Sequence, residues 1–387
     1  MKKFSRWILT LSLILGAASP GVSAAGLKGK KTTRPAGAVK PAVSAAPVAA
    51  DDTLVLLPKS DVVIVLDAGR LLNDVLPKIK AAWPQASEKP LREFNEFLDE
   101  GKQYGVDISK IKSVSLGLRL FEGPTVGAMI MDGLSINQSV IDALMKDEKG
   151  GKATSITHKG KTIYLFKSTK KEKEKSDQAK DKEAKGKPDP APSGDMVGSV
   201  LKMDDNTAFA QLDQQRVVLG DQNEVKAVID VATGGANPAG SLNAALTGAL
   251  KETKSASVIR FAINLPDSAR QWLAAQDYFK DMATMKMIFG ALDIGDDLSL
   301  SLDAKARTGS NDEATKLEAA LNGLLAIGKM MTGGNEDPKM KVASQFLNQI
   351  KLGSQTTDVS LSITVPRSFY DEMLKEQKPA PAKPDKQ

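Results

Sequence analysis

Apolar residues along this chain come either in blocks and on alternate positions or at intervals of three and four, the signatures of strands and of helices. Asp61 to Leu66 is a nearly unbroken apolar block and reads as a buried strand; Leu71, Leu72, Val75, Leu76 and Ile79 then recur at helical spacing. Pro84 and Pro90 are expected to break the chain before a second helix carrying Leu91, Phe94 and Leu98. From Ser113 to Phe121, Val114, Leu116, Leu118 and Leu120 alternate with Ser115, Gly117 and Arg119. That alternation predicts a strand with its leucines turned inward and a sheet exposed on its other face. Val126 to Met131 predicts the next strand, and Ile136, Val140, Ile141, Leu144 and Met145 predict a helix face. His158-Lys159-Gly160-Lys161 reads as the turn of a hairpin between Thr154 to Thr157 and Thr162 to Phe166.

The pattern continues with strands at Thr207 to Leu212 and Arg216 to Leu219. Asp221 then stands where a helix needs a cap, with Glu224 at the capping-box position and Val225, Val228 and Ile229 on the inner face. A strand over Ser257 to Leu265 ends at Pro266, and the spacing beyond it predicts one long helix from Ser268 to Phe289. Leu298, Leu300 and Leu302 alternate with Ser299, Ser301 and Asp303. Leu317, Ala320, Leu321, Leu324 and Leu325 mark an amphipathic helix; Val342, Phe346, Leu347 and Ile350 mark another; a strand at Thr357 to Val365 and a short helix begun by Pro366 close the pattern. The fold class is α+β: two similar modules, 51–253 and 254–375, each a mostly antiparallel sheet with helices packed on one face. The similarity rests on Val63-Ile64 against Val258-Ile259 and Val106-Asp107-Ile108 against Leu292-Asp293-Ile294, with Ser115 and Leu116 opposite Ser301 and Leu302 at one constant offset.

Four segments carry no such periodicity. Lys2, Lys3 and Arg6 precede an apolar run from Trp7 to Leu15, too short for the ~20 residues of a membrane-spanning helix, and Val22-Ser23-Ala24 supplies the small residues of a cleavage site. Residues 1–24 are therefore expected to be a secretory signal, 25–50 an Ala/Pro/Lys-rich tether, 169–195 a disordered charged insertion and 376–387 a disordered tail. The expected location is periplasmic or extracellular, with no transmembrane segment left after the signal is removed. No Cys follows the apolar run, or occurs anywhere, so neither lipid attachment to an N-terminal Cys nor a disulfide is available.

The order from Leu56-Leu57-Pro58 and the strand at Val62 to Leu66, through the hairpin at His158 to Phe166, then Gln215 to Asp221 with its helix, then Ser241-Leu242, resembles a family of exported bacterial proteins known only as a domain of unknown function. The likeness runs over about 51–375 and is one of pattern order; the charged insertion departs from it. It implies a bacterial envelope protein with no assigned activity and no catalytic residue to carry over.

Composition and candidate chemistry narrow the picture by exclusion. With 41% hydrophobic and 26% charged residues the chain can bury a core. The formal charge of +6 includes Lys2, Lys3 and Arg6; without them 50 basic residues face 47 acidic ones, and no basic stripe interleaved with aromatics is present, which excludes a nucleic-acid partner. His158 is the single His, so zinc sites built on His and Cys are excluded, and its place beside Gly160 reads as a turn rather than a catalytic position. Asp204-Asp205-Asn206 and Asp296-Asp297 lack calcium-loop spacing, and Gly234-Gly235 and Gly333-Gly334 lack the Lys-Ser or Lys-Thr of a phosphate loop. No catalytic residue, cofactor or metal ligand is expected, and the chain is not expected to be an enzyme. Met282, Met285 and Met287, placed on the long helix, with Met330, Met331 and Met340, read first as core filler and second as the wall of an apolar groove. The leading expectation is a binding or structural protein of the cell envelope with an unknown envelope partner; the alternative is a carrier of an apolar ligand such as a lipid or lipoprotein.

Overall fold

The computed structural model describes residues 51–103, 105–121, 125–137, 141, 154–165, 207–235, 244–333 and 338–376. The predicted signal, tether and charged insertion, nearly all of the helix expected at 136–145, and the tail beyond 376 lie outside the described residues. In chain order the strands are β1 (Val62–Leu66), β2 (Ser113–Arg119), β3 (Val126–Asp132), β4 (Thr154–His158), β5 (Lys161–Leu165), β6 (Thr207–Gln211), β7 (Arg216–Asp221), β8 (Ile259–Asn264), β9 (Met287–Ile294), β10 (Leu300–Arg307), β11 (Lys351–Gln355) and β12 (Asp358–Val365). The longer helices are α1 (Pro84–Gln103), α2 (Gln222–Ala232), α3 (Ala244–Lys251), α4 (Asp267–Ala274), α5 (Asn311–Thr332), α6 (Pro338–Gln349) and α7 (Arg367–Glu376). Together they make an α+β protein divided into two compact units, one from Ala50–Ser60 and Lys89–Asn243, the other from Asp61–Glu88 and Ala244–Gln387.

The first unit carries the strands β2-β3-β7-β6-β5-β4, every neighbouring pair antiparallel. Asp221 caps α2 by accepting from the Asn223 amide at 2.9 Å, and Val225, Val228 and Ile229 are fully buried, each worth about 1.5–3 kcal/mol of burial. Glu224 does not close a capping box: it turns to Arg119 at the end of β2, 2.7 Å away. The hairpin at 158–161 is a two-residue turn with Lys159 at φ 46° and Gly160 at φ 75°, the doubly left-handed geometry that follows the twist of its strands.

Strand β2 corrects the sequence expectation. Ser113, Ser115 and Gly117 are buried and Val114 and Leu116 half-buried, while Leu118 is buried as expected. The segment ahead of β1 is the cause. Thr53 Oγ1 lies 2.7 Å from Ser115 Oγ, and a Cβ on Gly117 would stand 2.5 Å from Ser60 Oγ and 3.4 Å from Leu57 Cδ2. Small side chains let 53–60 lie on the sheet, so the face read as exposed is covered.

The second unit carries β11-β12-β10-β9-β8-β1, again wholly antiparallel. Here the long helix expected from Ser268 to Phe289 is absent: α4 ends at Ala274, a 3-10 segment follows over Asp277–Thr284, and Met287–Ile294 is strand β9. A continuous apolar run fits a buried strand as well as a helix, and Gly290 favours the strand: a Cβ there would meet the Asp303 carbonyl at 2.4 Å and Ala304 Cα at 2.8 Å. Helix α1 likewise runs from Pro84 through Pro90, which was expected to interrupt it. Pro84 opens the helix, where a missing N–H costs nothing.

In each unit a first hairpin, β2-β3 or β9-β10, receives the second strand of a later hairpin, β7 or β12, against its own second strand, with β6 or β11 outside it.

Candidate functional site

One face of the second sheet carries two apolar rows that are half-buried rather than sealed. Its central row runs Ile64, Phe261, Gly290, Ala304, Leu361, Leu352, and the row beside it Leu66, Ile259, Leu292, Leu302, Ile363. Gly290 is buried; all the other members are half-buried and none is sealed. Alternation puts these residues on one side because a strand has period two. Antiparallel register then stacks them across five and six strands into a contiguous apolar surface.

Toward Ile288, Ala306 and Val359 the same face is closed by α5, and α6 packs against β12. Ala314 and Leu317 are fully buried against Val359 and Met285, with Leu265, Leu273, Met282, Ile288, Ala306 and Leu321 packed around them. Ser310 Oγ accepts from the Glu313 amide at 3.2 Å and Glu313 Oε2 from the Gly309 amide at 2.6 Å, so the capping-box sequence Ser310 to Glu313 anchors the helix start. That S-x-x-E signal was readable in the sequence. At Glu318 the helix reaches edge strand β11, where Ser354 Oγ donates to Glu318 Oε2 at 2.5 Å. Beyond it the apolar seam continues into solvent: Leu324, Ile327, Met330 and Met331 are 36%, 54%, 78% and 68% exposed.

The methionines divide accordingly. Met285 and Met287 are buried, Met287 within β9, and Met282 packs on the core under α5. Met282, Met285, Met287 and Met340 thus follow the first reading, core filler, although the long helix expected to carry the first three is not formed. The open apolar surface lies elsewhere on the face and was not singled out from sequence. Ile64, Leu66, Ile259, Phe261, Leu302, Leu361 and Ile363 were assigned to strands and Gly290, Leu292, Ala304 and Leu352 were not, and half-burial depends on what covers them.

The ionisable clusters are structural clasps. His158 Nε2 lies 2.8 Å from Asp230 Oδ1 on α2, and Lys159 Nζ lies 3.5 Å from the same oxygen, tying the hairpin to the helix. Burial pushes the Asp230 carboxyl up, but the hydrogen bonds and charges of His158 and Lys159 outweigh it and hold Asp230 below the usual carboxylate range. Glu224 is raised because burial outweighs the pull of Arg119. Asp293, buried, takes Arg70 at 2.6 Å and Lys254 at 2.8 Å, while Arg70 also donates to the carbonyls of Ala256 and Ile294. Asp296 pairs with Lys78 at 2.7 Å, Asp297 accepts from Ser299, and Gly234, at φ 88°, ends α2. Asp204-Asp205-Asn206 and Gly334 lie outside the described residues.

No family model matches this chain, and no characterised protein sequence matches it. Among solved structures the chain is similar to TP0453 in three crystal forms. Form I gives 9% identity and a TM-score of 0.37 over 86% of this chain and 98% of that one; form III gives 7% and 0.40 over 86% and 99%; form IV gives 8% and 0.38 over 85% and 97%. Likeness at that level is distant. Among the described residues no helix is long and apolar enough to cross a membrane.

Proposed function

We propose that this chain is a non-enzymatic, exported protein of the cell envelope that binds an apolar ligand, a lipid or a lipid-modified protein, on the open half of the second sheet. The observation that carries the reading is the pair of rows from Ile64 to Leu352 and from Leu66 to Ile363, in which every member but the buried Gly290 is a half-buried apolar residue. Isolated apolar residues on a surface need no explanation, but a contiguous patch marks an interaction site. Export is supported by the charged, apolar and small-residue order of residues 1–24, and the matching strand order supports reading the two units as copies of one ancestral module.

Ala304 sits at the middle of the open surface, between Gly290 and Leu361. Ala304→Trp should fill it. Titrating the purified protein with a polarity-sensitive fatty-acid probe should give saturable binding that this variant weakens at least tenfold while its thermal midpoint stays within a few degrees. Absence of saturable binding to the unaltered chain would remove the reading.

A further inference from the structure

Helix α5 contains no charged residue from Ala319 to Gly328. In this stretch and the turn after it, Ala319, Asn322, Gly323, Leu324, Ala326, Ile327, Met330 and Met331 are all exposed, and a Cβ added to Gly323 would have nothing within 4 Å. At 100° per residue these positions sweep an arc of about 200°, in which Asn322 is the lone polar side chain. A helix or sheet packed from one side covers a stripe of roughly 100°. The inner side is already occupied: Leu321 packs on the core, and Leu347 Cδ1 of α6 stands 3.2 Å from the Cβ position of Gly328. The outer arc is thus too wide for one docked helix or for a second copy laid against it, and suits a fluid acyl phase that closes around half a cylinder.

Lysines bracket the arc. Lys316 is exposed one turn before it and Lys329 is half-exposed near its end, the arrangement in which long cationic side chains reach head-group phosphates while their stems lie on apolar surface. The segments packed against the first half of α5, α4 and the 3-10 turn, carry Trp272 and Phe279 at 49% and 41% exposure, aromatic types that favour the membrane–water boundary.

We propose that the outer arc of α5 docks the protein on a lipid bilayer surface, sinking Leu324, Ile327, Met330 and Met331 among the acyl chains with Lys316 and Lys329 at head-group level. The docking goes beyond the ligand-binding reading and stands or falls separately from it.

The test is flotation of the whole exported chain with vesicles of phosphatidylcholine, and of phosphatidylcholine mixed equally with phosphatidylglycerol. The unaltered protein is expected to float with both and more strongly with the anionic vesicles. The double variant Ile327→Glu, Met331→Glu should lower partition at least tenfold with an unchanged circular dichroism spectrum, since both side chains stand in solvent. Lys316→Glu with Lys329→Glu should abolish the anionic preference and leave binding to phosphatidylcholine. Failure of the unaltered protein to float, or undiminished flotation of the Ile327→Glu, Met331→Glu variant, overturns the proposal. So does a stable dimer that this variant splits into monomers without any vesicle binding, which would assign the arc to a second copy. Vesicle-free titration of the same variants with the fatty-acid probe separates the two readings: a protein that floats but takes no probe sinks the ligand site alone, and one that takes probe but never floats sinks the docking alone.

Discussion

The two sheets are both antiparallel, both built from hairpins, and both apolar on the face that meets a long helix, yet they end in opposite states. In the first unit the row Ser115, Ile130, Val218, Ala210, Ile163 is sealed, each member at 0% exposure, beneath α2 and the segment 53–60. In the second, the row Ile64 to Leu352 stays half-buried apart from Gly290, although α5 closes the end marked by Ile288, Ala306 and Val359 and α6 packs against β12. Closure is therefore a matter of what lies on a sheet rather than of the sheet itself. Small residues admit the covering chain in the first unit; in the second, larger side chains stay half-buried beneath α5 and α6.

The largest effect belongs to the sealed row. Ile130→Ala should cost about 2–5 kcal/mol, as buried large-to-small changes do, whereas Leu361→Ala in the open row should cost about 1 kcal/mol or less because water already reaches it. Urea unfolding of the two variants measures the difference, and equal losses would erase the distinction. Glycines sharpen it next. Gly220→Ala would place a Cβ 2.2 Å from the Gly127 carbonyl oxygen between β7 and β3 and should destabilise by about 1–3 kcal/mol. Gly323→Ala, with open space around it, should stabilise α5 by up to about 1 kcal/mol. Thermal midpoints should move in opposite directions.

The smallest effect is electrostatic and confined to the first unit. Asp230 is held below its ordinary range in the folded state, so its contribution is present above the unfolded-state value of about 3.9 and is lost as pH falls through the lower, folded value. The group is partly exposed, so the pair is worth less than about 1 kcal/mol. Asp230→Asn should lower stability slightly at pH 7 and leave it unchanged near pH 2; comparing the two midpoints checks the sign.

Much of this architecture was legible in the residue pattern. The apolar block at β1, the hairpin around Gly160, the Asp221 cap and the buried stripe of α2 are local features, set by periodicity and turn chemistry. What escaped was set by distant partners. Ser115 and Gly117 read as an outer face because their covering chain, 53–60, lies far away in sequence, and Met287 to Phe289 read as the end of a helix because a short apolar run fits helix and buried strand alike. The open surface escaped for the same reason. Leu302 and Leu361 have the pattern of ordinary inward strand residues, and in the sequence nothing distinguishes them from the fully buried Val218.

Absence of cysteine from the chain makes accessibility directly measurable. Single replacements Leu361→Cys and Val218→Cys, treated with a thiol reagent under native conditions, report the open and the sealed row in one experiment. Fast labelling at Leu361→Cys, slowed at least tenfold by added fatty acid, alongside protection at Val218→Cys whether or not lipid is present, is the result predicted here. Equal protection at both positions without lipid would contradict an open apolar face.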